Sequence, residues 1–126
     1  MCAAQAGPLD MLMYYDARPS AFNGLFDMYT FRPLKGYYPF KMFNELYKLG
    51  EEVKCESDDR AVYAVAAKGG EDRAVMVCYY TDDDTAGEKE IEFEFDGEFT
   101  VQLLDEDNTC TEIPFEKRVR SEEQHV

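Results

Sequence analysis

At Gly50 the spacing of apolar residues changes period, and this switch constrains the fold more than any other feature of the chain. From Tyr37 to Leu49, Phe40, Phe43, Leu46 and Tyr47 stand at i, i+3, i+6 and i+7, which places them on one face of a helix. Lys41, Glu45 and Lys48 gather on the opposite face, with Glu45 and Lys48 spaced to pair. Pro39 lies in the first turn, where a missing backbone donor costs nothing, and Gly50 is the residue expected just past a helix end. Downstream the period becomes two. The spacing predicts strands over 53–56, 61–67, 74–81, 89–95, 99–104 and 109–115.

The second and third of these strands are apolar on both faces and are expected at the centre of a sheet, joined by a hairpin loop at 68–72. The strand 89–95 alternates, with Ile91, Phe93 and Phe95 inward and Glu90, Glu92 and Glu94 facing water. Asp96-Gly97 is a strong two-residue hairpin signal and is expected to join it to 99–104, while Glu106-Asp107-Asn108 turns the chain again. Short strands at hairpin spacing imply a mainly β chain with an antiparallel, sandwich-like domain. The run from Glu116 to Val126 is polar, and 117–126 is expected to be a disordered tail.

The formal charge of −14 and the isoelectric point near 4.3 argue against nucleic acid as a partner, because phosphate binding is built from lysine and arginine. Cys2, Cys55, Cys78 and Cys110 show neither C-x-x-C spacing nor a disulfide framework, and Cys78 reads as a buried small hydrophobe. The start of the chain, interrupted by Gln5, Gly7, Pro8 and Asp10, suits neither a signal peptide nor a membrane span. A cytoplasmic protein with reduced thiols and no bound cofactor or metal is the expectation. The single histidine, His125, argues against a histidine triad or a histidine metal cluster.

Upstream of the helix, Leu9–Tyr15 is apolar on both faces, as in a buried strand. The run from Asp16 to Pro33 holds Phe22, Phe26, Tyr29 and Phe31 with Pro19, Gly24 and Pro33, and reads as an ordered aromatic loop.

Tyr14-Tyr15-Asp16-Ala17-Arg18-Pro19, then Gly24-Leu25-Phe26, then Lys35, Tyr38, Phe43, Leu46, Leu49 and Gly50 resemble the end of the catalytic barrel in clan-A glycoside hydrolases of the β-xylosidase and α-iduronidase type. In that family a last barrel strand carries an aromatic pair, a loop with a Gly-aliphatic-aromatic element follows, and a final helix leads into a β-sandwich. The resemblance divides the chain into 1–50, the last strand, loop and helix of such a barrel; 51–116, the β-sandwich; and the tail. It is close over the first half and only architectural over the second. At 126 residues the chain is too short for a whole barrel of roughly 250. The resemblance puts the two catalytic glutamates on barrel strands upstream of Met1.

By resemblance, Tyr15 and then Tyr14 line the sugar subsite nearest the cleaved bond, although the family's usual tryptophan is absent. Asp16 and Arg18 either hydrogen-bond sugar hydroxyls or form an ion pair that holds the loop. Phe22, Asn23 and Phe26 are further subsite candidates. The alternative for both tyrosines is a plain core or rim position. Asn44-Glu45 imitates the family's catalytic pair but falls on the solvent face of the helix. Asp82-Asp83-Asp84 offers hard oxygen ligands, yet lacks the spacing and glycine of a calcium loop and reads as a solvated connection. The resemblance implies a C-terminal accessory part of a retaining glycosidase, inactive alone, whose partner is the remainder of the barrel. The rival readings are a non-catalytic carbohydrate-binding module and a structural or homo-oligomerising β-domain.

Overall fold

The computed structural model describes residues 1–15, 17–20, 24–95, 97–114 and, by backbone alone, 118–121. The chain is mainly β, with antiparallel sheets and two α-helices, and it divides into two units, 1–78 and 79–126. Among the described residues, no helix is long and apolar enough to cross a membrane.

In the first unit the expected helix forms as α2 (Tyr38–Leu49), entered through a 3₁₀ turn at Lys35–Tyr37, with Pro39 in its first turn and Gly50 closing it at φ +98°. Glu45 and Lys48 pair at 3.7 Å on the exposed face. The buried stripe is rotated from its expected position. Leu46 is buried, and Met42, Phe43 and Leu49 flank it half-buried, whereas Tyr47 is 77% exposed. One residue is about 100° of helical rotation, so Tyr47 falls off a face centred on Leu46.

That face lies on a three-stranded sheet of order β1 (Glu51–Val53), β2 (Val62–Gly69) and β3 (Asp72–Tyr79). Strands β1 and β2 are antiparallel, with Glu51 opposite Lys68 and Val53 opposite Ala66. Only β2 is central. The expectation that both long strands are central is corrected here, since β3 is an edge strand among the described residues. Apolar residues on both faces of a strand report cover above and below it, not neighbours on both sides. Tyr63, Ala74, Met76 and Cys78 pack against a core of Leu46, Val65, Ala67 and Cys2, so Cys78 is half-buried at the rim of that core. Cys2 arrives on α1 (Cys2–Gln5), a short helix against β2 that the apolar periodicity did not announce.

The close approach of helix and sheet has a steric cause. A Cβ at Gly69 would overlap the Leu49 carbonyl, so only glycine lets the end of α2 sit against the end of β2.

Leu9–Tyr15 does not form the expected strand. Its residues belong to no assigned strand, and Met11 is 72%, Met13 82% and Tyr15 80% exposed. A buried strand needs neighbours to take its backbone hydrogen bonds, and no described strand supplies them.

In the second unit, β5 (Val101–Leu103) and β6 (Thr111–Ile113) form the expected antiparallel pair. Asp105 makes the turn between them, its carboxylate accepting from the Asp107 and Asn108 backbone N–H groups at 3.0 and 2.8 Å. The Asp96-Gly97 hairpin is not formed between ladder partners. Strand β4 (Lys89–Glu92) pairs with β7 (Arg118–Ser121), in register Glu90↔Arg120 and Glu92↔Arg118, and among the described residues β5 pairs with β6 and not with β4. Gly97 does adopt φ +105°, while Asp96 lies outside the described residues.

Two expectations are corrected together: part of the polar tail is a strand, and it takes the place opposite β4. The register sets acidic positions against basic ones, an arrangement favoured between neighbouring strands. Beyond Glu92 the aromatics leave the ladder and associate with one another, Phe93 with Phe95 at 5.6 Å and Phe95 with Phe99 at 6.0 Å.

Candidate functional site

The aromatic loop between Gly24 and Leu34 is built around Asp27. Its Oδ1 accepts from the backbone N–H groups of Tyr29 and Thr30 at 2.9 and 2.7 Å and from the Thr30 hydroxyl at 3.0 Å. Asp27 N–H donates to the Arg32 carbonyl at 2.8 Å, Phe31 N–H to the Asp27 carbonyl at 3.0 Å and Leu34 N–H to the Leu25 carbonyl at 2.9 Å. This closes a tight turn over Met28, Tyr29 and Thr30, and the residue after it, Phe31, is held at φ +57°, an uncommon conformation for a bulky residue. The donors converging on Asp27 hold its carboxyl below the ordinary aspartate value, with the backbone N–H of Thr30 the largest cause.

The turn divides its rings into two sets. Phe26 turns inward, 5.4 Å from Tyr37, which itself meets Tyr38 edge-on at 5.5 Å. Beneath them Leu25 is buried, and the single-bridge contacts Pro19–Phe26 and Phe26–Pro33 fasten the loop to its own flanks. Tyr29 and Phe31 point outward, 82% and 66% exposed, with Met28 beside them. A second ring pair, Tyr14 against Phe40 at 5.1 Å, ties the apolar run 9–15 to the first turn of α2.

The expected site residues separate. Tyr14 is half covered by Phe40, whereas Tyr15 stands open. Arg18 is exposed, with its carbonyl where a Cβ on Gly24 would intrude. Asp16, Phe22 and Asn23 lie outside the described residues. Tyr14, Tyr15 and Arg18 line neither of two open grooves on the first unit. One, about 410 Å³, lies between α1 and β1 and is bordered by Cys2, Gln5, Glu52, Lys54 and Cys55. The other, about 470 Å³, lies over Phe43, Leu46, Tyr47 and Val65.

Glu45 is exposed, as the helical spacing implied. Asp83 spends its carboxylate on a turn, accepting from the Thr85 N–H at 2.9 Å and from the Thr85 hydroxyl at 2.6 Å, and these bonds hold its carboxyl below the ordinary value. No three of His, Cys, Asp and Glu among the described residues come together to hold a metal ion.

The residue that organises the loop, Asp27, was overlooked at the level of sequence. Its signal was there: Asp27-Met28-Tyr29-Thr30 places a side-chain acceptor two and three residues before the N–H groups it captures, the pattern of an Asx turn. The exposed pair Tyr29 and Phe31 had no separate signal, because inward and outward rings look alike in a loop.

Comparison with known protein families, curated proteins and solved structures finds no match to this chain.

Proposed function

We propose that this chain is the C-terminal accessory part of a retaining glycoside hydrolase of the β-xylosidase type, inactive alone and completed by the remainder of a barrel. The observation that carries the reading is the segment Leu9–Tyr15, seven consecutive residues that are mostly apolar, exposed and outside every assigned strand. Such a stretch gains most by joining a sheet supplied from elsewhere. It runs directly into an aromatic loop and a glycine-stopped helix that packs on an antiparallel sheet, the order the resemblance implies.

In the complete enzyme the two carboxyl groups, about 5–5.5 Å apart, come from the other barrel strands; one protonates the glycosidic oxygen and the other forms the covalent glycosyl intermediate. Tyr15 contributes its ring face to the sugar's C–H surface, and Tyr14, buttressed by Phe40, orients it. The test is incubation of the pure chain with an aryl-β-xyloside. No turnover is expected, and turnover abolished by changing one of its own carboxylates would refute the proposal.

A second reading has its own support in the outward rings of Tyr29 and Phe31 on a hydrogen-bonded loop, a platform of the sort a carbohydrate-binding module uses. Glycan binding by the isolated chain, lost in Tyr29→Ala and Phe31→Ala but retained in Tyr15→Ala, would favour that module over the barrel part.

A further inference from the structure

The three-stranded sheet of the first unit has two edges, and they are built differently. The edge at β1 is three residues long and carries Glu51 and Glu52, the shortness and charge that keep a strand edge from taking on another chain. The edge at β3 is eight residues long. Its charges, Asp72 and Arg73, stand at its start, and Ala74-Val75-Met76-Val77-Cys78-Tyr79 follows without a charge, a proline or a glycine. Among the described residues no strand lies on the outer side of β3.

Burial shows what that side lacks. In β2, which has a strand on each side, Val65, Ala66 and Ala67 are buried in succession, so both faces of the sheet are covered there. In β3, residues 74–78 are as apolar, and every one of them is only half-buried. Ala74, Met76 and Cys78 nevertheless pack against the core cluster that holds Leu46 and Val65. The remaining exposure is therefore lateral, since a side chain on an edge strand misses the cross-strand neighbour that a central strand gives it.

Charge selects the occupant and its direction. A second copy of β3 laid parallel would set Asp72 beside Asp72 and Arg73 beside Arg73, like charges on neighbouring strands. Laid antiparallel about a two-fold axis through Met76, the same strand sets Val75 opposite Val77 and Ala74 opposite Cys78, with Arg73 opposite Tyr79 and Asp72 opposite Tyr80, and no like charges meet. The register centred on Val75 fits less well, because it sets Arg73 against Val77 and Asp72 against Cys78. The first unit holds 11 acidic and nine basic residues, so it does little to repel a copy of itself.

We propose that the outer edge of β3 is a self-association surface, on which a second copy of this chain adds its own β3 antiparallel about Met76 and joins two three-stranded sheets into one. The inference is independent of the glycosidase role. Eight paired residues bury less than the roughly 1,600 Å² of a standard stable interface, so the dimer is weak and reversible. The formal charge of −14 on the whole chain opposes it, and screening by salt strengthens it.

The experiment follows the full-length chain by sedimentation velocity and by residue-resolved amide exchange over rising protein concentration. The expected result is a monomer–dimer equilibrium, with a roughly tenfold gain in protection at alternate residues of β3 as the dimer fills, because alternate residues of an antiparallel strand point their N–H groups to the same neighbour. A dimer that protects Leu9–Tyr15 or Tyr29 and Phe31 instead, or a chain that stays monomeric at every concentration and salt, would overturn the proposal. Two variants test the register. Val75→Lys with Val77→Lys sets lysine opposite lysine across the axis, whereas Val75→Lys with Val77→Glu sets lysine opposite glutamate and should dimerise roughly tenfold more tightly. Equal dissociation constants for the two would overturn the register about Met76. The wild-type exchange map decides whether the edge is used even if the variants fail to fold.

Discussion

Replacing Gly69 with alanine tests the contact that joins the helix to the sheet. An alanine Cβ there would lie 2.9 Å from the Leu49 carbonyl carbon and 3.0 Å from its Cα, and would overlap the carbonyl oxygen. Carbon atoms in contact sit about 3.5–4.0 Å apart, so the end of α2 must retreat from β2 by a sizeable fraction of an ångström. Leu46 and Leu49 both ride on that end. Overpacking of this kind costs about 1–3 kcal/mol, and the loss of glycine's unfolded-state entropy returns about 0.4–1. The net expectation is a loss of about 1–2 kcal/mol, or roughly 4–8 °C in Tm for a chain of this length. Gly36→Ala is the control, because a Cβ there meets only the Leu25 Cδ2 at an ordinary 3.6 Å, and its stability should stay within about 0.5 kcal/mol of the parent. Urea unfolding followed by far-ultraviolet circular dichroism gives both midpoints. Equal midpoints for the two variants, with unchanged slopes, would refute the argument that the Leu49 carbonyl dictates glycine at 69.

Three further outcomes are expected. Leu46→Ala removes the most buried side chain of α2 and should cost about 2–5 kcal/mol in the same urea assay, against little change for Tyr47→Ala, whose ring is mostly in water. Asp27→Ala should loosen the loop, read as faster amide exchange at Tyr29 and Thr30, the two donors it holds. Because folding lowers the Asp27 pKa, its contribution is present above the ordinary aspartate value of 3.8 and fades as pH falls through the lower folded value; protection at these amides should therefore drop on acidification in the parent and be flat with pH in the variant. Glu90→Lys with Glu92→Lys sets like charges across β4–β7 and should cost about 0.2–1 kcal/mol per pair, recovered by Arg118→Glu with Arg120→Glu; no recovery would mean that the register is held by something other than charge.

The helix and the β character were legible because both are local. The 3.6-residue spacing, Pro39 and Gly50 named α2 almost to the residue, and the alternation around Val65 and Met76 named β2 and β3. Which strand neighbours which was not legible, because the same pattern describes a strand at the centre of a sheet and one at its edge. Asp96-Gly97 shows the limit of a turn signal: positive φ at Gly97 is a local preference that was obeyed, while the ladder across it was decided by a distant segment. At the candidate site, the ring pair Tyr14–Phe40 joins residues that no spacing rule links, and Asp27 was readable only to someone counting side-chain acceptors rather than apolar positions.

The pairing of β4 with β7 also explains why composition misled. Residues 79–126 hold 16 of the 27 acidic residues and only four of the 13 basic ones, so this unit repels itself. Three of those four basic residues, Lys117, Arg118 and Arg120, stand within the polar tail. A segment judged by hydrophobicity alone looks unable to repay the entropy of ordering. Judged against the acidic strand it pairs with, it is a basic stretch whose charge lowers the local repulsion, with Val119 in register opposite Ile91. Order at Arg118–Ser121 is therefore a property of two segments together, and the same reasoning applies to Leu9–Tyr15: its apolar pattern states what it would bury, and only a partner strand decides whether it does.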